Sequence, residues 1–159
     1  MIIGKKMINM LNLKDKKYII LEIIPTKVFG GDVAQLSALK INGVKLEDRF
    51  DYRLDKSKIN SLDILNMTNY DNESFKYAKT TKTIMKNFRK FIEDLPLLII
   101  DNSYTRNYLE EFDNKKESVF KYLNLDVSDD VFDKLMNKYN LEPSNYLVDL
   151  LYEALIKEL

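Results

Sequence analysis

The chain divides into blocks that differ in the spacing of their apolar residues. Residues 18–24 read Tyr-Ile-Ile-Leu-Glu-Ile-Ile, apolar at odd and even positions alike apart from Glu22. A strand apolar on both sides is covered on both faces, so this block predicts a central strand. Pro25 ends it, and Phe29-Gly30-Gly31 supplies a turn. Residues 33–41 and 45–54 are the next two strand candidates. Between them stands Asn42-Gly43, the strongest short-range hairpin signal, so the two are expected to pair antiparallel.

Past residue 60 the period changes. Residues 61–66 predict a short helical turn. Residues 74–94 predict a long amphipathic helix, because Tyr77, Ile84, Met85, Phe88, Phe91 and Ile92 fall on one side at ~100° per residue. Residues 95–100 return to a buried strand. Residues 103–112 read as a helix and 119–125 as a short strand or extended segment. Two helices, 130–139 and 144–159, close the chain on either side of Glu142-Pro143. The order βββ-α-β-α-(β)-α-α predicts the α/β class, a mixed sheet with helices packed on it. No repeat, linker or low-complexity segment interrupts it, so residues 1–159 are expected to form one domain with 1–16 as a lead-in.

Composition narrows the chemistry. Lys+Arg and Asp+Glu are both 25, a formal net charge of zero. Bulk charge therefore does not predict nucleic-acid binding, and any basic surface has to be local. The absence of Cys excludes disulfides and thiolate metal sites. The absence of His removes the commonest general base near neutral pH, and with it a Ser-His-Asp triad and any His-ligated zinc site. The longest apolar runs are about 6–7 residues against the ~20 that a membrane helix needs, and residues 1–10 lack a signal-peptide pattern. A cytosolic protein with no membrane partner is the expectation.

Several segments carry a further pattern. Leu21-Glu22-Ile23-Ile24-Pro25-Thr26-Lys27 lies on the first strand, and the hairpin from Asp32 to Gly43 leads to Arg49-Phe50. Residues 66–73 follow, then Leu98-Ile99-Ile100-Asp101-Asn102 with Thr105 and Leu109, and finally Ser144 with Asp149 on the last helix. In order and spacing this resembles the DEDD 3′–5′ exonuclease superfamily. These are proofreading-type nucleases of the DNA polymerase III epsilon-subunit kind, with an RNase H-like fold. The resemblance runs from about Tyr18 to the C-terminus. It puts Glu22 and Ile24 at the family's Asp-x-Glu, and Lys27 at the Gly of its Thr-Thr-Gly. Thr105 falls at the third acid, Asp149 at the last, and Ser144 where the family has a His base.

The family's reaction is phosphodiester hydrolysis by two divalent ions ~3.5–4 Å apart, held by oxygen ligands. Glu22 and Asp149 are the carboxylates that remain at the family's positions. Two are too few to neutralise two Mg²⁺ ions, so Mg²⁺ or Mn²⁺ is expected, if at all, as one weakly held ion. The residues also have plainer readings. Glu22 can be a rim residue or a buried acid paired with a lysine. Asp149 shares a helical stripe with Glu153 and Lys157, the pattern of a solvated face. Asp101 precedes a helix and suits a cap.

On the predicted helix 74–94, Lys79, Lys82, Lys86, Arg89 and Lys90 fall within a ~100° arc. Such a strip can hold phosphates, and is also what an ordinary solvated face looks like. The ten tyrosines could stack on bases, though most fall at apolar-face positions. The expected protein is an exonuclease fold with a degenerate two-metal site, acting by binding nucleic acid or a protein partner. Two alternatives stand beside it. One is a weak or altered Mg/Mn-dependent 3′–5′ exonuclease using Glu22 and Asp149. The other is a structural or oligomeric module docking through the hairpin's edge.

Overall fold

A computed structural model describes residues 12–27, 31–59, 61–68, 75–101, 103–116, 120–123, 127–141 and 147–159. Its strands are β1 (Lys17–Pro25), β2 (Val33–Asn42), β3 (Lys45–Leu54), β4 (Lys76–Ala78), β5 (Leu97–Asp101) and β6 (Val127–Ser128). They form a six-stranded sheet in the order β4-β3-β2-β1-β5-β6. β1 with β2 and β2 with β3 are antiparallel; β1 with β5, β5 with β6 and β3 with β4 are parallel. The helices are α1 (Leu62–Met67), α2 (Thr81–Ile92), α3 (Ser103–Lys116), α4 (Asp129–Tyr139) and α5 (Leu147–Glu158). This is the mixed α/β architecture that the apolar spacing predicts.

The central strand explains the sheet's two cores. Along β1, Ile19, Leu21 and Ile23 point to one face and pack with Ile84, Met85 and Phe88 of α2 and Leu109 of α3. Tyr18 and Ile20 point to the other and pack with Leu135 of α4 and Leu151, Ala154 and Leu155 of α5. Successive strand side chains alternate between faces, so a strand buried on both must be apolar on both. Farther along the α5 face, Ile24 meets Ala34 and Ile59, with Ile64 and Leu65 of α1 packed against them.

The hairpin forms, but its turn differs from the Asn-Gly expectation by one residue. Asn42 pairs with Lys45, which leaves Gly43-Val44 as the loop with Gly43 at φ 67°. Glycine at the first central position is the Gly-first form of the two-residue turn. A Cβ there would stand 2.5 Å from the Lys14 carbonyl oxygen, so no other residue fits without movement.

The helix expected over 74–94 is a strand followed by a shorter helix. Lys76–Ala78 pairs with Tyr52–Leu54 of β3, and α2 begins only at Thr81. Thr80 has extended backbone and accepts a hydrogen bond from the Thr83 amide, an N-cap that stops the helix from starting earlier. Tyr77, expected on the apolar face, is therefore a strand residue and 56% exposed. Lys79 precedes the helix and does not belong to its face. Within 119–125, the described residues 120–123 hold one bridge, Tyr122 to Leu97. α3 runs past 112 to Lys116, and the last helix starts at Leu147; residues 142–146 lie outside the described ones.

Candidate functional site

The residues singled out on the sequence lie on opposite sides of the sheet. Glu22 belongs to the α5 face, between Ile20 and Ile24 on β1. It is 5% exposed and its Oε2 has no hydrogen-bond partner. It is thus neither a rim residue nor one half of a lysine pair. Burial disfavours the charged form and pushes the carboxyl up to about 7.

Its neighbours extend the polarity across the sheet. Glu22 stands opposite Ser37 on β2, and Ser37 stands opposite Asp51 on β3. Ser37 is 2% exposed with no partner for its hydroxyl, and Oδ1 of Asp51 is also buried without one. Oδ2 of Asp51 accepts from Arg49 Nε at 2.8 Å. The same guanidinium donates to both carboxylate oxygens of Asp149, at 3.1 Å each. Burial works against the Arg49 charge, but the bonds to Asp149 and Asp51 outweigh it and hold the guanidinium above its ordinary pKa. Arg49 therefore fastens α5 to the third strand, with Asp149 as its ligand. The Glu153–Lys157 pair expected on the same helix is present at 3.6 Å.

The other positions named by the exonuclease resemblance are occupied differently. Ile24 is buried in the apolar cluster with Ala34 and Ile59. Thr105 is fully buried; its hydroxyl accepts from the Ile23 amide at 3.0 Å and donates to the Ile23 carbonyl at 3.2 Å, pinning α3 to β1. The Asp101 side chain, Asn102 and Ser144 lie outside the described residues. A two-metal centre does not fit this set. One acid position is an aliphatic side chain, one is a hydroxyl already doubly bonded to backbone, and Asp149 is held bidentately by a guanidinium. Among the described residues, no group of three or more His, Cys, Asp or Glu side chains converges in a way that could hold a metal ion.

On the opposite face, α2 is anchored by Thr81. Its hydroxyl accepts from the Val33 amide at 2.9 Å and donates to Asp32 at 2.8 Å. With Ile84, Met85, Phe88 and Ile92 turned into the core, Lys82, Lys86, Arg89 and Lys90 are exposed. Among the described residues none of the four makes an ion pair. Arg89 instead lies over the Phe112 ring, 4.8 Å from its centroid. Lys76 of β4, opposite Tyr52, is exposed on the same side, and the exposed Lys79 follows the strand; Tyr77 between them stands opposite Arg53 on the α5 side, its ring centroid 5.5 Å from that guanidinium.

Ser37, Asp51 and Arg49 were not read as site residues on the sequence. The signal available was the polar interruption of apolar strands: Gln35 and Ser37 within 33–41, at one parity, as Glu22 interrupts 18–24. Among the described residues no helix is long and apolar enough to cross a membrane. No family model matches the chain, and no curated protein matches it.

Proposed function

We propose that the chain is a degenerate RNase H-like exonuclease scaffold that binds nucleic acid through the cationic face of α2 and does not hydrolyse it. The observation that carries the reading is the row Lys82, Lys86, Arg89 and Lys90, exposed and without acidic partners among the described residues. In a chain of zero net charge, a patch of one sign is a local feature, and phosphate contacts from such a patch give sequence-independent affinity. Lys76, opposite Tyr52 on the α2 side of the sheet, adds a further exposed cation to this side, and the exposed Lys79 follows β4. The antiparallel three-strand start followed by alternating helices and strands supports the exonuclease-type scaffold. The loss of hydrolysis rests on Ile24, Thr105 and the Arg49–Asp149 pair standing where metal ligands are needed.

The test is fluorescence anisotropy with labelled single-stranded and duplex DNA and RNA, in EDTA, across a salt series. Binding is expected to fall steeply with salt, and Lys82→Glu/Lys86→Glu is expected to weaken it at least tenfold at low salt. In a parallel incubation with Mg²⁺ or Mn²⁺ in place of EDTA, digestion of the probe that is lost in Glu22→Ala points instead to the weak-nuclease alternative. Absence of salt-sensitive binding to any probe sinks the nucleic-acid reading. The edge-docking alternative loses part of its surface, because β4 covers β3 over Tyr52–Leu54.

A further inference from the structure

We propose that Glu22, Ser37 and Asp51 form a one-cation site on the α5 face of the sheet, taking a hard divalent ion of the Mg²⁺ or Mn²⁺ class. This stands apart from the nucleic-acid reading, which concerns the opposite face, and from the two-metal set, with which it shares only Glu22.

Three observations lead there. The first is register. Glu22, Ser37 and Asp51 lie directly opposite one another on three adjacent strands. Directly opposed side chains start from Cβ atoms ~5 Å apart, and strands ~4.8 Å apart put the two acids ~10 Å from each other at the backbone. Two carboxylates at that spacing can lean toward a single point above the serine between them.

The second is satisfaction. Oε2 of Glu22, Oγ of Ser37 and Oδ1 of Asp51 are all buried and all without a hydrogen-bond partner. Buried polar atoms are nearly always paired, and each exception calls for a cause. Every orphan in this row is an oxygen, and two are carboxylate oxygens. What such a set lacks is positive charge, and hard cations prefer oxygen donors of this kind. Mg²⁺ commonly takes one or two carboxylates and completes its shell with water, so two acids and a hydroxyl suffice for one ion.

The third is charge. Arg49 is bonded to Asp51 and Asp149, and Glu22 makes no ion pair among the described residues. Arg53, the other arginine on this side of β3, is engaged at the opposite edge: its guanidinium stacks 4.6 Å from the Phe75 centroid and donates to the Tyr77 hydroxyl. Arg49 bonds Oδ2 of Asp51 and leaves Oδ1 buried without a hydrogen-bond partner. Asp149, with both oxygens on Arg49, is excluded as a ligand.

The experiment is Mn²⁺ titration of the full chain followed by electron paramagnetic resonance of free Mn²⁺, with thermal melts at 1 mM Mn²⁺ and in EDTA. One ion per chain is expected, with a higher melting temperature in Mn²⁺. Glu22→Gln should weaken binding at least tenfold and Ser37→Ala several-fold, with the Mn²⁺-dependent rise in melting temperature shrinking most in Glu22→Gln. Asp149→Asn should retain binding within about threefold. The proposal is overturned by no saturable binding below 5 mM, by equal affinity in wild type and Glu22→Gln, or by a loss in Asp149→Asn matching that in Glu22→Gln. Because the nucleic-acid assay runs in EDTA, failure here leaves that reading untouched, and failure there leaves this one.

Discussion

Replacing Glu22 by Gln in the metal-free protein should abolish most of the pH dependence of its stability between pH 5.5 and 8.5. The carboxyl is 5% exposed, its Oε2 has no partner, and burial raises its pKa from 4.5 to about 7. In the unfolded chain it returns to its ordinary value. Between the two values the folded protein keeps a proton that the unfolded chain releases, so stability falls as pH rises. The contribution is intact below about 4.5, declines through the window and levels off above about 7. At 1.36 kcal/mol per pH unit, the full loss is about 3 kcal/mol, of which about 2 kcal/mol falls between pH 5.5 and 8.5.

The absence of histidine makes this measurable. In most proteins His titration dominates this range; here Glu22 stands nearly alone in it. Urea unfolding in EDTA at half-unit steps gives the slope directly. Wild type should lose about 2 kcal/mol across the window, and Glu22→Gln should be flat within about 0.5 kcal/mol. At pH 8.5 the variant should be the more stable of the two, by about 1–2 kcal/mol, once the cost of burying an amide is allowed for. A flat wild-type profile, or a variant with the wild-type slope, refutes the description of Glu22 as buried and uncompensated.

Two further perturbations separate structural polar contacts from those open to ligands. Arg49→Met removes the cation shared by Asp51 and Asp149 and leaves the buried Asp51 carboxylate unpaired, so urea unfolding should show a loss of about 2–3 kcal/mol; adding Asp51→Asn should return part of it. Thr105→Val keeps the shape but removes both hydrogen bonds to Ile23, and should cost about 1–3 kcal/mol with no change in Mn²⁺ or nucleic-acid affinity; a change in either affinity would give Thr105 a role in a site.

Much of the fold is legible because β1 and the hairpin strands carry strong period and turn signals. β4 is not. Tyr77 falls at a spacing that also suits the α2 face, and only pairing with β3 decides for strand. The polar row was hidden by a single register shift. At the turn Asn42 meets Lys45 and Ile41 meets Leu46, but between Lys40 and Ile41 the pairing slips by one residue, so that Lys40 meets Asp48. Continued unshifted from the turn, the register would set Ser37 opposite Phe50. A bulge of this kind costs one unpaired residue and exchanges the faces of everything beyond it, and neither strand's composition announces it. Asp51 is therefore on the α5 face for a reason that exists only once both strands are paired.

The same shift changes how the two acids placed by the exonuclease resemblance relate to each other. Compared position by position with the exonuclease family, the chain reads as a damaged centre with two acids left over. In three dimensions those two part company: Asp149 is fixed by Arg49, while Glu22 stands in register with Ser37 and Asp51. Burying the Glu22 carboxyl without a partner lowers stability at pH 7 by about 3 kcal/mol relative to acid pH. A cation held by Glu22, the unpartnered Ser37 hydroxyl and the Asp51 carboxylate in register with it would offset that loss, which an apolar core has no means to do.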